Sequence, residues 1–177
     1  MAVSRFTSRQ PAEPNIIERV AEAIWQVSAR EVKMEETAML AAARLRGAGF
    51  LSSRENLAPN HEADALLLRN RQNIIDLGMG AAANILDMLE QSDEEAAREA
   101  IRIMRVLDKK CDAELGWHHF GEIEVGEGKL LEAMGLARRH DGVSRGGKCS
   151  YGLTWWGHQI VELLEKRESG EAAMAPE

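Results

Sequence analysis

Cysteine is scarce in this chain. Cys111 and Cys149 are the only two among 177 residues, too few for a disulfide framework, and they read as free thiols in a reducing compartment. Proline is nearly as rare, with four, and aromatic residues make up only 5%. A chain poor in both and rich in alanine, leucine, glutamate and arginine favours helices over sheets. No apolar run approaches the roughly 20 residues that a membrane-crossing helix needs, and the opening residues lack the apolar centre of a secretory signal. These absences predict a soluble, cytoplasmic protein without membrane contact. Positive charge is also short: 22 Lys and Arg face 29 Asp and Glu, for a net charge of −7. Duplex affinity draws on neutralised phosphates, so a generally basic nucleic-acid binder is excluded, while a local basic patch on an acidic body is not.

What is present is mostly helical periodicity. Residues 1–13 are polar and read as a mobile arm. Pro14 suits a first helical turn, and Ile17, Val20, Ile24 and Val27 recur at helical spacing, which predicts a helix from Pro14 to Ala29. A second helix is expected from Glu31 to Arg46, stopped by Gly47 and Gly49. Phe50–Pro59 reads as a loop. The helical pattern returns from His61 to Glu90, with the seam Leu67, Ile74, Ala81, Ile85 and Met88. Within it Gly78 and Gly80 point to a close crossing. Ser92-Asp93-Glu94-Glu95 predicts a capping box before a helix that carries Ala97, Ile101, Met104 and Leu107 on one face. Residues 169–177 are low in hydrophobic content and read as a disordered tail.

The most informative stretch runs from Val125 to Leu164. It holds a short apolar helix, then Leu136-Ala137-Arg138-Arg139, a Gly-rich basic loop through Gly146-Gly147, and Tyr151-Gly152-Leu153-Thr154-Trp155-Trp156-Gly157 opening a closing helix. That order resembles the second half of a winged helix-turn-helix domain. The resemblance covers about residues 92–168 and implies an all-α fold with a small β-hairpin wing, preceded by a helical dimerisation or interaction region over 14–91. It further implies a short second helix at Trp117–Val125 and a recognition helix at Gly126–Met134 stopped by Gly135. Wing strands would follow at Leu136–Arg139 and Ser150–Leu153, and Thr154 would cap the last helix, which buries Ile160, Leu163 and Leu164. In that family the helix before the hairpin enters the DNA major groove and the hairpin follows the backbone.

By this resemblance Lys129, Arg138, Arg139, Arg145 and Lys148 would contact duplex DNA. The recognition helix itself departs from the pattern: it offers Glu122, Glu124, Glu127 and Glu132 against Lys129, where base readers are usually cationic or amide side chains. Two readings therefore stand. The first is a dimeric DNA-binding transcriptional regulator. The second is a non-enzymatic interaction module whose acidic helices dock on a basic nucleic-acid groove of a host protein complex. For that second reading Glu122, Glu124, Glu127, Glu132 and Trp156 are the contact residues. Trp155 and Trp156 point about 100° apart on a helix, so one can be core while the other meets a partner. The segment Asn15–Trp25 is similar to the opening of many small phage-encoded proteins, a setting in which both small repressors and inhibitors of host defence occur.

No catalytic or cofactor pattern emerges. Cys111, His118, His119, Cys149 and His158 lack the paired spacing of a zinc site. Gly126-Glu127-Gly128-Lys129 is not a phosphate-binding loop, which needs a further upstream glycine and a hydroxyl after the lysine; Ile123 and Leu130 stand there. Neither an enzyme nor a bound cofactor or metal is expected.

Overall fold

Helix formation begins at Asn15. Its Oδ1 accepts from Glu18 N–H at 3.0 Å while the Glu18 carboxylate accepts from Asn15 N–H at 3.2 Å, a reciprocal cap that places Pro14 just outside the helix rather than in its first turn. The first helix, α1, then runs unbroken from Ile16 to Leu45. The break expected at Arg30 does not occur, because Ser28-Ala29-Arg30-Glu31 contains neither glycine nor proline to stop propagation. The computed structural model describes residues 13–45, 61–110, 120–140 and 146–174. The arm through residue 12, the loop at Phe50–Pro59, Arg145 and the Cys111, His118 and His119 positions lie outside the described residues.

Helix α2 spans His61–Glu90 as the periodicity predicts, and continues through both glycines. Helix α3 covers Glu95–Lys110, burying Ala97, Ala100, Ile103, Met104 and Leu107. The capping box forms differently from expectation. Ser92 Oγ accepts from Glu94 N–H at 3.3 Å, and the Glu94 carboxylate instead accepts from Ile16 N–H at 3.0 Å, neutralising the positive end of α1. That bond also fixes the hairpin's sense: the start of α1 meets the end of α2, while Leu45 and Glu62 share a groove at the other end, so α1 and α2 are antiparallel.

Strand β1 (Gly121–Glu124), helix α4 (Val125–Ala133), strands β2 (Ala137–Arg139) and β3 (Lys148–Leu153), and helix α5 (Trp155–Met174) complete the order. The described part of the expected second helix, residues 120–125, is thus mainly strand. Gly121 and Ile123 are buried and Glu122 and Glu124 exposed, the alternation of a half-buried strand, and β3 supplies the edge it pairs with. The sheet is antiparallel in the order β1-β3-β2, with Ile123 opposite Cys149 and Arg139 opposite Tyr151. The structure is mostly helical with this small sheet. Helix α5 extends through Met174, past the point where a disordered tail was expected, since Glu171-Ala172-Ala173-Met174 are good helix formers.

One hydrophobic cluster joins all parts. Ile16 and Val20 from α1 and Ile85, Leu86 and Leu89 from α2 pack with Met104, Leu131, Leu136, Tyr151, Trp156, Ile160 and Leu164. The core therefore sits where the first half of α1 and the second half of α2 meet the sheet-bearing region. No described helix is long and apolar enough to cross a membrane.

Candidate nucleic-acid interface

The hairpin formed by β2 and β3 is held by its glycines and by Thr154. Helix α4 ends at Gly135, whose φ of 76° suits glycine best. Leu136 N–H then donates to Leu131 O at 2.8 Å and Gly135 N–H to Glu132 O at 3.0 Å, closing a Schellman turn. The Thr154 hydroxyl donates to Gly135 O at 2.8 Å and accepts from Gly157 N–H at 3.3 Å. One side chain thereby caps α5 and pins the α4–β2 turn to it. At the tip, Gly146 and Gly147 have φ values of 61° and 84°, and Gly147 O accepts from Val125 N–H at 3.1 Å. The hairpin is tied at both ends to α4.

The basic residues expected at DNA divide between two sides of the sheet. Arg138 and Lys148 lie on the outer face, together with Glu122 and Glu124, by the register of the three strands and the alternation of side chains. The Arg138 guanidinium sits 6.0 Å from the centroid of the Phe120 ring, and that ring lies 4.3 Å from His140, so cation, aromatic and imidazole form one cluster. Arg139 lies on the opposite face, at its exposed edge beside Tyr151. Lys129 is exposed on α4.

The four glutamates do not form one acidic helix face. Glu122 and Glu124 are exposed on β1, with Lys148 the cross-strand partner of Glu124. Glu127 is turned inward: its carboxylate meets Arg102 of α3 at 2.5 Å and accepts from Glu124 N–H at 3.2 Å. Arg102 also binds Glu99 at 2.6 Å, and this hydrogen bond holds the Glu99 carboxyl below its usual range. Glu132 remains exposed near the end of α4.

Trp156, expected to meet a partner, is 8% exposed and packs in the core, whereas its neighbour Trp155 is 45% exposed. The first helical position of α5 faces α2: a Cβ built on Gly78 would stand 2.7 Å from the Trp155 ring. Gly78 therefore admits the close crossing expected of it, while Gly80 faces open space. Cys149 is a buried core residue, and His158 Nδ1 lies 3.5 Å from Asp108. Among the described residues no cluster of metal-ligating side chains occurs.

Sequence reading missed a stripe of exposed apolar side chains. Trp25, Val32 and Met39 on α1 and Leu68 and Ile75 on α2 are all exposed, each series spaced by seven residues and so confined to one side of its helix. That spacing was the available signal.

Comparison with family models, with characterised proteins and with solved structures finds no match to this chain.

Proposed function

We propose that this chain is a cytoplasmic winged-helix DNA-binding regulator that works as a homodimer. The observation that carries the reading is the arrangement of the C-terminal region. A short helix leads directly into a glycine-tipped antiparallel hairpin, a third strand pairs beside it in the order β1-β3-β2, and the hairpin strands expose Arg138, Arg139 and Lys148. Such a hairpin can lie along a phosphate backbone while α4 faces the groove. The exposed surface of α4 carries Gly126, Lys129, Glu132 and Ala133, so phosphate contacts supply most of the affinity and Lys129 and Glu132 are the side chains left to read bases.

The helical hairpin supports dimerisation. Trp25, Val32, Met39, Leu68, Ile75 and Trp155 are between 43% and 69% exposed and expose on the order of 600 Å² together. That is close to the apolar share of the roughly 800 Å² per partner that a stable interface buries. In the antiparallel pair Val32 lies level with Ile75 and Met39 with Leu68, which suits a second copy completing a four-helix arrangement. A two-fold dimer would match a palindromic site.

The second reading, an inhibitor or adaptor docking on a basic protein, rests on Glu122 and Glu124 standing exposed side by side on β1. Selection of bound sequences from a random duplex library separates the two. The regulator enriches a two-fold symmetric sequence; recovery of the unselected pool at low salt contradicts it.

A further inference from the structure

The side of the helical hairpin away from the apolar stripe holds a groove of about 900 Å³ between the second half of α1 and the first half of α2. At about 100° per residue, Arg30, Thr37 and Ala41 lie roughly opposite Trp25, Val32 and Met39, so the groove and the proposed dimer face do not compete. Its floor is apolar, from Met34, Ala38, Ala41, Leu45, Ala65 and Leu66. The alanines leave the space open: they let the helices approach without filling the cleft between their outer edges.

The polar lining is uneven in charge and in position. Three cations, Arg30, Lys33 and Arg69, border it against the single carboxylate of Glu62, in a chain where acids outnumber bases by 29 to 22. None of the three makes an ion pair with a described residue. Arg30 and Lys33 sit at the end nearest the core, with the amide of Asn73, while Leu45 and Glu62 mark the far end. The span from Lys33 to Leu45 along α1 is about 18 Å at ~1.5 Å per residue.

We propose that this groove binds a single-chain amphiphile with an anionic head, of the long-chain carboxylate class. The carboxylate meets Arg30 and Lys33, where charge-assisted hydrogen bonds are strongest, Arg69 further along the groove adds to the positive field, and the alkyl chain lies over Met34, Ala38, Ala41 and Leu66. The groove volume falls within the usual range for small-molecule sites. This inference stands apart from the DNA reading, since it draws on no residue of the sheet region.

The test is equilibrium dialysis of the full chain against radiolabelled dodecanoate below its micelle concentration, with dodecyltrimethylammonium as competitor. The expected result is saturable binding of one dodecanoate per chain that the cationic amphiphile does not displace. Arg30→Gln/Lys33→Gln/Arg69→Gln should weaken it by at least about tenfold; these side chains are exposed, so the variant keeps the fold. Ala41→Phe, which fills the floor, should abolish binding while circular dichroism stays unchanged. Absence of saturable binding, equal displacement by the cation, or undiminished affinity in the triple variant overturns the proposal. Occupation of the groove by another part of the chain or by a second copy would register as the first of these.

Discussion

Tyr151 occupies the space that a side chain at position 128 would need: a Cβ built on Gly128 would stand 2.0 Å from Tyr151 Cε2. Helix α4 lies on the sheet through this contact. Gly128→Ala should therefore force α4 away from β3 and destabilise the fold by about 1–3 kcal/mol. Gly126→Ala, two residues earlier in open space, should change stability by less than about 1 kcal/mol. Urea denaturation of the two variants checks the difference, and equal midpoints would contradict the contact.

The same tyrosine carries a fully buried hydroxyl with no hydrogen-bond partner among the described residues. Leaving such a group unsatisfied costs about 1–3 kcal/mol, so Tyr151→Phe should be neutral or raise stability by about 1 kcal/mol. Burial first, then the nearby Glu132 carboxylate, raises the phenol pKa, with Arg139 opposing. A raised value means that the tyrosine's contribution is full below the unfolded value of about 10 and is lost as pH rises through the folded one. Thermal melts should show the wild type losing stability above that pH more steeply than Tyr151→Phe. A steeper loss in the variant would contradict this.

Helical periodicity in the sequence located α2 to the residue and the start of α3, because each keeps a sustained apolar face and opens at a recognisable signal; the close expected for α3 at Leu115-Gly116 lies outside the described residues. The end of α4 was equally readable, since Gly135 marks a left-handed turn. Strand β1 was not: its four residues are too few for a period-two pattern to outweigh a helical one. Trp155 and Trp156 were indistinguishable by adjacency, and only the docking of α5 separates them: Trp156 enters the core, while Trp155 lies against Gly78 of α2 and stays half exposed. The charged groove and the pairing of Glu127 with Arg102 depend on residues distant in sequence, which no local pattern can bring together.

Glu122→Gln/Glu124→Gln separates the two functional readings. Both side chains are exposed on the sheet's outer face, and Glu124 also forms a capping box with Glu127 at the start of α4; a glutamine keeps an acceptor oxygen there, so the fold should persist with a loss below about 1 kcal/mol. Glu127 is unsuitable for this purpose, because it holds Arg102 and the start of α4. For a DNA-binding protein the double variant should keep or gain duplex affinity, as it removes repulsion from phosphates. A fall in duplex affinity measured by filter binding would count against that reading.

Assembly is tested on the apolar stripe. Wild-type protein at micromolar concentration should show the mass of a dimer by light scattering, and Val32→Glu/Leu68→Glu should show that of a monomer with unchanged helicity. A monomeric wild type, or a dimeric variant, would remove the stripe from the account.

In the regulator reading the hairpin holds a phosphate backbone. The most direct measurement is fluorescence anisotropy of a labelled duplex titrated with protein across a series of salt concentrations. For the wild type, log affinity should fall linearly with log salt, and each of Arg138→Ala, Arg139→Ala and Lys148→Ala should reduce the slope by about one ion. The affinity loss should be about equal on unrelated sequences. Binding that is absent at low salt, or a slope untouched in the triple variant, would contradict the account.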